Sequence, residues 1–146
     1  MTDAFVPHAN NNPSPLIRVG DSYDMADNGH HCSRTLNIDA TLRNMTMRAR
    51  FVLIAIAQAG SRITFEDLKN CIDAPYSLQG MYRVQHAITF DCRLRDEPLL
   101  SSLVVSKATG EVSDGMPVDP FDPDDAAKER DRCYLYWQTH DPFPTD

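Results

Sequence analysis

By residue type, the stretch best suited to chemistry is Gly29-His30-His31-Cys32, where two imidazoles and a thiol stand side by side. Imidazole and thiolate are good ligands for Zn2+. Adjacent residues rarely face one centre, however, and no CxxC or HxxxH pair follows at useful spacing. The stretch reads as a polar loop, and no metal or cofactor is expected. A nucleophilic thiol would need a base and an orienting group within reach. Cys71, Cys92 and Cys133 all fall on stretches of helical character, two of them on apolar stripes, and are expected as buried, inert thiols. Asp119, Asp122, Asp124 and Asp125 lie among prolines, and the last three lack the spacing of a Ca2+ loop. There is no Gly-rich phosphate loop and no serine elbow. No catalytic residue is expected, and the chain reads as a non-enzyme.

Binding chemistry is better represented. Ser77, Gln79, Tyr82, Arg83 and His86 stand at the start and on the expected exposed side of a helix over about 78–95, and Lys107 stands at the tip of a turn beyond it. A recognition helix puts its first side chains on base edges and its basic groups on phosphates. The plainer reading makes Arg83, Arg93 and Arg95 ordinary solvated charges and His86 a surface or boundary histidine.

Charge limits both readings. The net charge is −7, distributed as −3 over residues 1–33, +1 over 34–115 and −5 over 116–146. A nearly neutral middle releases few counterions from a nucleic acid. The acidic flanks would repel phosphate and attract a basic protein surface. Asp122, Asp124 and Asp125 are therefore candidate contacts to a basic protein partner, as the alternative to nucleic acid.

These residues need elements to position them. Residues 1–33 are rich in Asn, Asp, Pro, Ser and His and read as an irregular N-terminal arm with a few anchors, among them Leu16, Ile17 and Tyr23. Residues 34–115 read as the core, and 116–146 as an acidic Pro-rich linker with a C-terminal helix. Met45, Ala49, Val52, Leu53 and Ile56 share one face of a long helix that Asp39 or Thr41 can cap and Gly60 can stop. Thr64 and Asp67 resemble a capping box, with Ile63 and Leu68 as its staple, and predict a short helix over 65–72 after a very short strand. Ser77 can cap the third helix. Leu99 to Ser106 reads as a buried strand, Lys107 to Gly110 as a turn and Glu111 to Ser113 as an antiparallel return. Asp124 can cap a last helix that runs to about Gln138. Val52, Leu53, Ile56, Leu68, Met81, Ile88, Leu103, Val105 and Trp137 are the expected core.

The longest apolar run, Phe51 to Ala57, falls short of the ~20 residues of a membrane span. The N-terminus lacks the basic and apolar regions of a secretory signal. The four cysteines are widely spaced. These features predict a cytoplasmic chain.

The order helix, tiny strand, short helix, third helix, ribbon resembles a winged helix, so the fold class expected is α+β, with a winged-helix-like core of three helices and a two-stranded ribbon. RITFEDL and EPLLSSLVVSKATGEVSDG resemble segments of small bacterial and phage winged-helix-like domains that carry "ITY-x-EL" and "PPLTALVVNKxTGxPGxG". Ile63, Thr64, Phe65, Asp67 and Leu68 match the first loosely. Pro98, Leu99, Leu100, Leu103, Val104, Val105, Lys107, Thr109 and Gly110 match the second. Ser106 replaces an Asn there, and Val112-Ser113 replaces a Pro-Gly step. The order is also similar to the DNA-binding lobe of alkylguanine alkyltransferases, but their reactive Pro-Cys-His-Arg segment is missing. The resemblance implies a non-enzymatic macromolecule-binding module, DNA-binding or regulatory. The alternative is an acidic, phage-encoded inhibitor of a nucleic-acid-processing system, of anti-CRISPR or anti-restriction type.

Overall fold

The long helix begins where an acidic side chain can take up the free N–H groups of its first turn. Asp39 Oδ1 accepts from Leu42 N at 2.7 Å, and helix α1 runs Ala40–Gln58. It stops at Gly60, whose φ of +67° suits a residue without a Cβ. Thr64 caps the short helix α2, Phe65–Ile72, by accepting from Asp67 N at 3.1 Å. Helices α2 and α3 (Tyr82–Arg95) both end on an aspartate in the left-handed region, Asp73 at φ 54° and Asp96 at φ 57°. Aspartate tolerates that conformation better than most side chains.

The computed structural model describes residues 14–28, 34–107, 110 and 123–141, with the side chains of Pro123 and Asp124 outside it. Within these residues the architecture is mixed α+β, with four α-helices and two small sheets. Strands β1 (Ser22–Asp24) and β2 (Thr35–Asn37) pair antiparallel, with Tyr23 opposite Leu36. Strands β3 (Ile63–Thr64) and β4 (Val104–Val105) pair in parallel, Ile63 with Val104. Helix α4, Pro123–Thr139, packs on α1 and opens on a proline, whose missing N–H costs nothing at the first helical position. No helix among the described residues is long and apolar enough to cross a membrane.

The expected core is largely in place. Leu53, Leu68, Met81, Ile88, Leu103, Val105 and Trp137 are buried, while Val52 and Ile56 are half-buried against the same cluster.

Three expectations change. The irregular arm carries β1 and a 3-10 turn, Met25–Asn28, and Ile17 and Met25 join the core. Three-residue strands are too short to leave a readable alternation. The strand expected from Leu99 to Ser106 is instead a 3-10 turn, Leu100–Leu103, followed by the two-residue β4. Ser102 causes this locally, because both its N–H and its hydroxyl donate to Leu99 O, at 3.0 and 2.8 Å. The pairing of β4 is with β3; the antiparallel return, Glu111 to Ser113, lies outside the described residues. Finally, Ser77 does not cap α3: a separate 3-10 turn, Gln79–Met81, precedes that helix, and Ser77 Oγ accepts from Gly80 N within it.

Helix α3 is enclosed. Every residue from Val84 to Cys92 is buried, four of them polar or charged. Each of the charged ones has a partner. Asp91 takes Arg95 Nε at 3.0 Å with one oxygen and the N–H groups of Leu16 and Ile17 with the other. Arg95 reaches on to Ser14 O at 2.6 Å, and Arg43 of α1 donates to Pro15 O and Ile17 O. The N-terminal segment is thus tied down by its backbone rather than by a strand. Arg95, expected as a solvated charge, is 2 % exposed for this reason.

A second buried pair joins α1 to the end of α3. Arg50 grips Glu97 through both guanidinium nitrogens, at 2.7 and 3.2 Å, and lies over the Trp137 ring at 5.3 Å. Removing one partner of such a pair strands a buried charge. Glu97→Ala should therefore lower unfolding stability by about 3–5 kcal/mol, and replacing both partners with Met and Leu should restore much of it. Urea denaturation of the three variants checks this. A loss under about 1 kcal/mol for Glu97→Ala would mean that the pair is not held as described.

Candidate nucleic-acid interface

The candidate residues at the start of α3 divide sharply by exposure. Ser77, Gln79 and Arg83 are exposed and Tyr82 is half-buried. His86 is fully buried, one turn below Tyr82. Its Nδ1 pairs with Asn28 Nδ2 at 3.0 Å, and the Tyr82 ring meets it edge-on at 6.3 Å. His86 therefore supports the site from beneath and does not face solvent, which corrects the expectation of a surface histidine.

The turn before α3 is tight for a physical reason. Ser77 Oγ accepts from Gly80 N at 3.0 Å. A Cβ at Gly80 would stand 3.2 Å from that oxygen and 3.3 Å from Tyr76 Cβ. Glycine lets the chain close there and enter α3 with Tyr82 and Arg83 on its open end.

Electrostatics single out Tyr82. The Arg83 guanidinium lies 5.9 Å from its ring centroid. Arg83 foremost, and Arg34, the residue before β2, hold the Tyr82 phenol below its ordinary range by favouring the phenolate. Burial opposes them. Tyr76 is shifted the other way, chiefly by burial and then by Asp39. Arg34 was not legible as a site residue, since it sits at the edge of a segment without periodicity. It is placed by β2 and by its carbonyl, which accepts from Met25 N at 2.9 Å.

Lys107 is exposed just after β4. The turn it begins is closed by Gly110 N donating to Ser106 O at 2.8 Å, and Arg62 Nη1 donates to Gly110 O at 2.7 Å. Ser77, Gln79, Tyr82 and Arg83 are neighbours along the chain at the start of α3, and Lys107 belongs to a different element, the turn after β4.

The other candidates place less. Asp122 and the His30-His31-Cys32 stretch lie outside the described residues, as does the Asp124 side chain. Asp125 is half-buried in the first turn of α4, where a carboxylate suits the positive helix end. Cys92 and Cys133 are buried, and burial pushes the Cys92 thiol up to about 12 and that of Cys133 higher still. Cys71 differs from expectation: it is exposed at the end of α2, on an open cleft of about 450 Å3 lined also by Ile56, Asp67 and Asn70.

No protein-family model, curated protein or solved structure matches the chain.

The tyrosines give this geometry a direct readout. Tyr23 donates to Asp21 Oδ2 and stacks on Phe90 at 4.5 Å, and burial with that bond pushes its phenol up to about 12. A raised folded value favours the neutral form, so this contribution to stability is complete below 10 and is lost as pH rises through about 12. Tyr82 moves in the opposite sense. Ultraviolet titration should show a phenol ionising below 10, absent in Tyr82→Phe and shifted upward in Arg83→Gln. An unchanged titration curve in Tyr82→Phe would contradict the placement of the two guanidiniums.

Proposed function

We propose that this chain is a non-enzymatic, winged-helix-type module that binds nucleic acid through the exposed start of α3. The order α1, β3, α2, α3, β4 supports the winged-helix assignment. The observation that carries the binding reading is the contrast along α3. Its length from Val84 to Cys92 is buried, while its first two residues, Tyr82 and Arg83, and the turn before it, with Ser77 and Gln79, are accessible. Amide, hydroxyl and guanidinium groups at a helix start are the groups that contact base edges and phosphates. Lys107 adds a separate phosphate contact from the turn after β4.

Such binding is weak, with a shallow salt dependence. A chain of net charge −7 carries few cations on this side, and each phosphate neutralised contributes about −0.9 to the slope of log K against log salt. That same charge supports the second reading, an acidic inhibitor of a nucleic-acid-processing protein in the cytoplasm, which would use Asp122, Asp124 and Asp125.

A salt series of duplex binding, measured by fluorescence anisotropy, separates the readings. Arg83→Ala and Lys107→Ala should each weaken binding and each reduce the salt slope by about 1. Indifference to both changes, with partner association slowed by neutralising the three aspartates, would replace the nucleic-acid reading with the inhibitor reading.

A further inference from the structure

We propose that the nucleic acid taken at the start of α3 is single-stranded, with an unpaired base stacking on the Tyr82 ring beside Arg83. The inference rests on the nucleic-acid function proposed above and names the substrate class of that site.

Helix length argues against a duplex. A recognition helix reads duplex DNA by lying in the major groove with several of its side chains on base edges. Here Val84 to Cys92 are buried, so Tyr82 and Arg83 are what α3 offers at its entrance, with the turn before it. Two helical residues and a turn are too short to follow a groove. They are long enough for a nucleotide or two whose bases are free to swing toward the protein.

The surface at this entrance is of the kind an unpaired base needs. Tyr76 and Tyr82 each keep part of their surface open, Leu78 is 50 % exposed, and Gln79 and Arg83 are exposed. Aromatic faces stack on bases, an amide can meet a base edge, and a guanidinium can take the phosphate. In a duplex the base faces are covered by their neighbours, and such apolar surface would find only sugar and phosphate. Tyr82 is held in place for stacking. Its ring meets the buried His86 edge-on at 6.3 Å, and His86 is itself paired with Asn28. The Arg83 guanidinium lies 5.9 Å from the ring centroid, within reach of the phosphate of a nucleotide whose base lies on the ring. The Ser77–Gly80 bond fixes the turn that carries Leu78 and Gln79. Charge points the same way. A chain of net charge −7 gains little from neutralising the dense phosphates of a duplex, whereas stacking needs no net charge.

The test titrates the full chain against three labelled probes of one length at the same low salt, read by fluorescence anisotropy. The probes are a mixed-sequence single strand, the duplex it forms with its complement, and an abasic strand that keeps sugar and phosphate alone. The single strand should bind about tenfold or more tightly than either of the others. Tyr82→Ala should weaken single-strand binding by a similar factor, while Tyr82→Phe, which keeps the ring, should retain it. The abasic strand needs no altered protein, so the comparison stands even if Tyr82→Ala fails to fold. Abasic binding equal to that of the intact strand would overturn the stacking proposal. Duplex binding as tight as single-strand binding would also overturn it, while leaving the nucleic-acid reading intact. No binding of any probe would remove that reading and the inference with it.

Discussion

The pairing of Asp91 with Arg95 on α3 is the interaction on which the rest of the structure depends. Two charges, each at most 2 % exposed, would be costly alone. They are tolerable because each has further partners: Asp91 takes two backbone N–H groups of the N-terminal segment, and Arg95 donates to a carbonyl of the same segment. One ion pair thus fixes a helix, fastens a segment more than seventy residues away, and closes one side of the core. Arg43 completes the fastening from α1.

The burial of α3 bears on the proposed nucleic-acid contact. Gln85 and Thr89 bind the Leu100–Leu103 turn through Ser101, and Arg50 with Glu97 locks the region beyond the helix C-terminus. With its middle so committed, α3 is accessible only at its two ends, Tyr82 and Arg83 at the start and Arg93 and Leu94 in the last turn. That is a narrower surface than a recognition helix lying along a groove would need. In the proposed binding to nucleic acid the contact is made end-on, with the Gly80 turn beside it.

The local signals in the sequence were readable because their causes are local. Asp39, Thr64 and the ends of α2 and α3 at Ile72 and Arg95 depend on neighbours within one turn. The Leu99–Val105 run was not readable as a turn, since a wholly buried apolar stretch has no periodicity to distinguish strand from helix. The decisive bond there is made by a serine to its own backbone. Burial of Arg50, Arg95 and His86 was hidden for a different reason. A polar residue can be buried only where a distant partner meets it, and Glu97 lies 47 positions from Arg50 while Asn28 lies 58 from His86. Of the candidate site, Ser77, Gln79, Tyr82 and Arg83 were legible as the start of a helix. Arg34, which also acts on the Tyr82 phenol, was not, because it precedes a strand of three residues, too short to leave a period.

Native-state hydrogen exchange at Leu16 and Ile17 tests most directly whether α3 holds the molecule together. These amides belong to no helix or strand, and their protection depends on Asp91. The expected result is exchange as slow as that of the Val84–Cys92 amides, with Asp91→Asn speeding both segments together. Exchange of Leu16 and Ile17 at unprotected rates while α3 stays closed would contradict it.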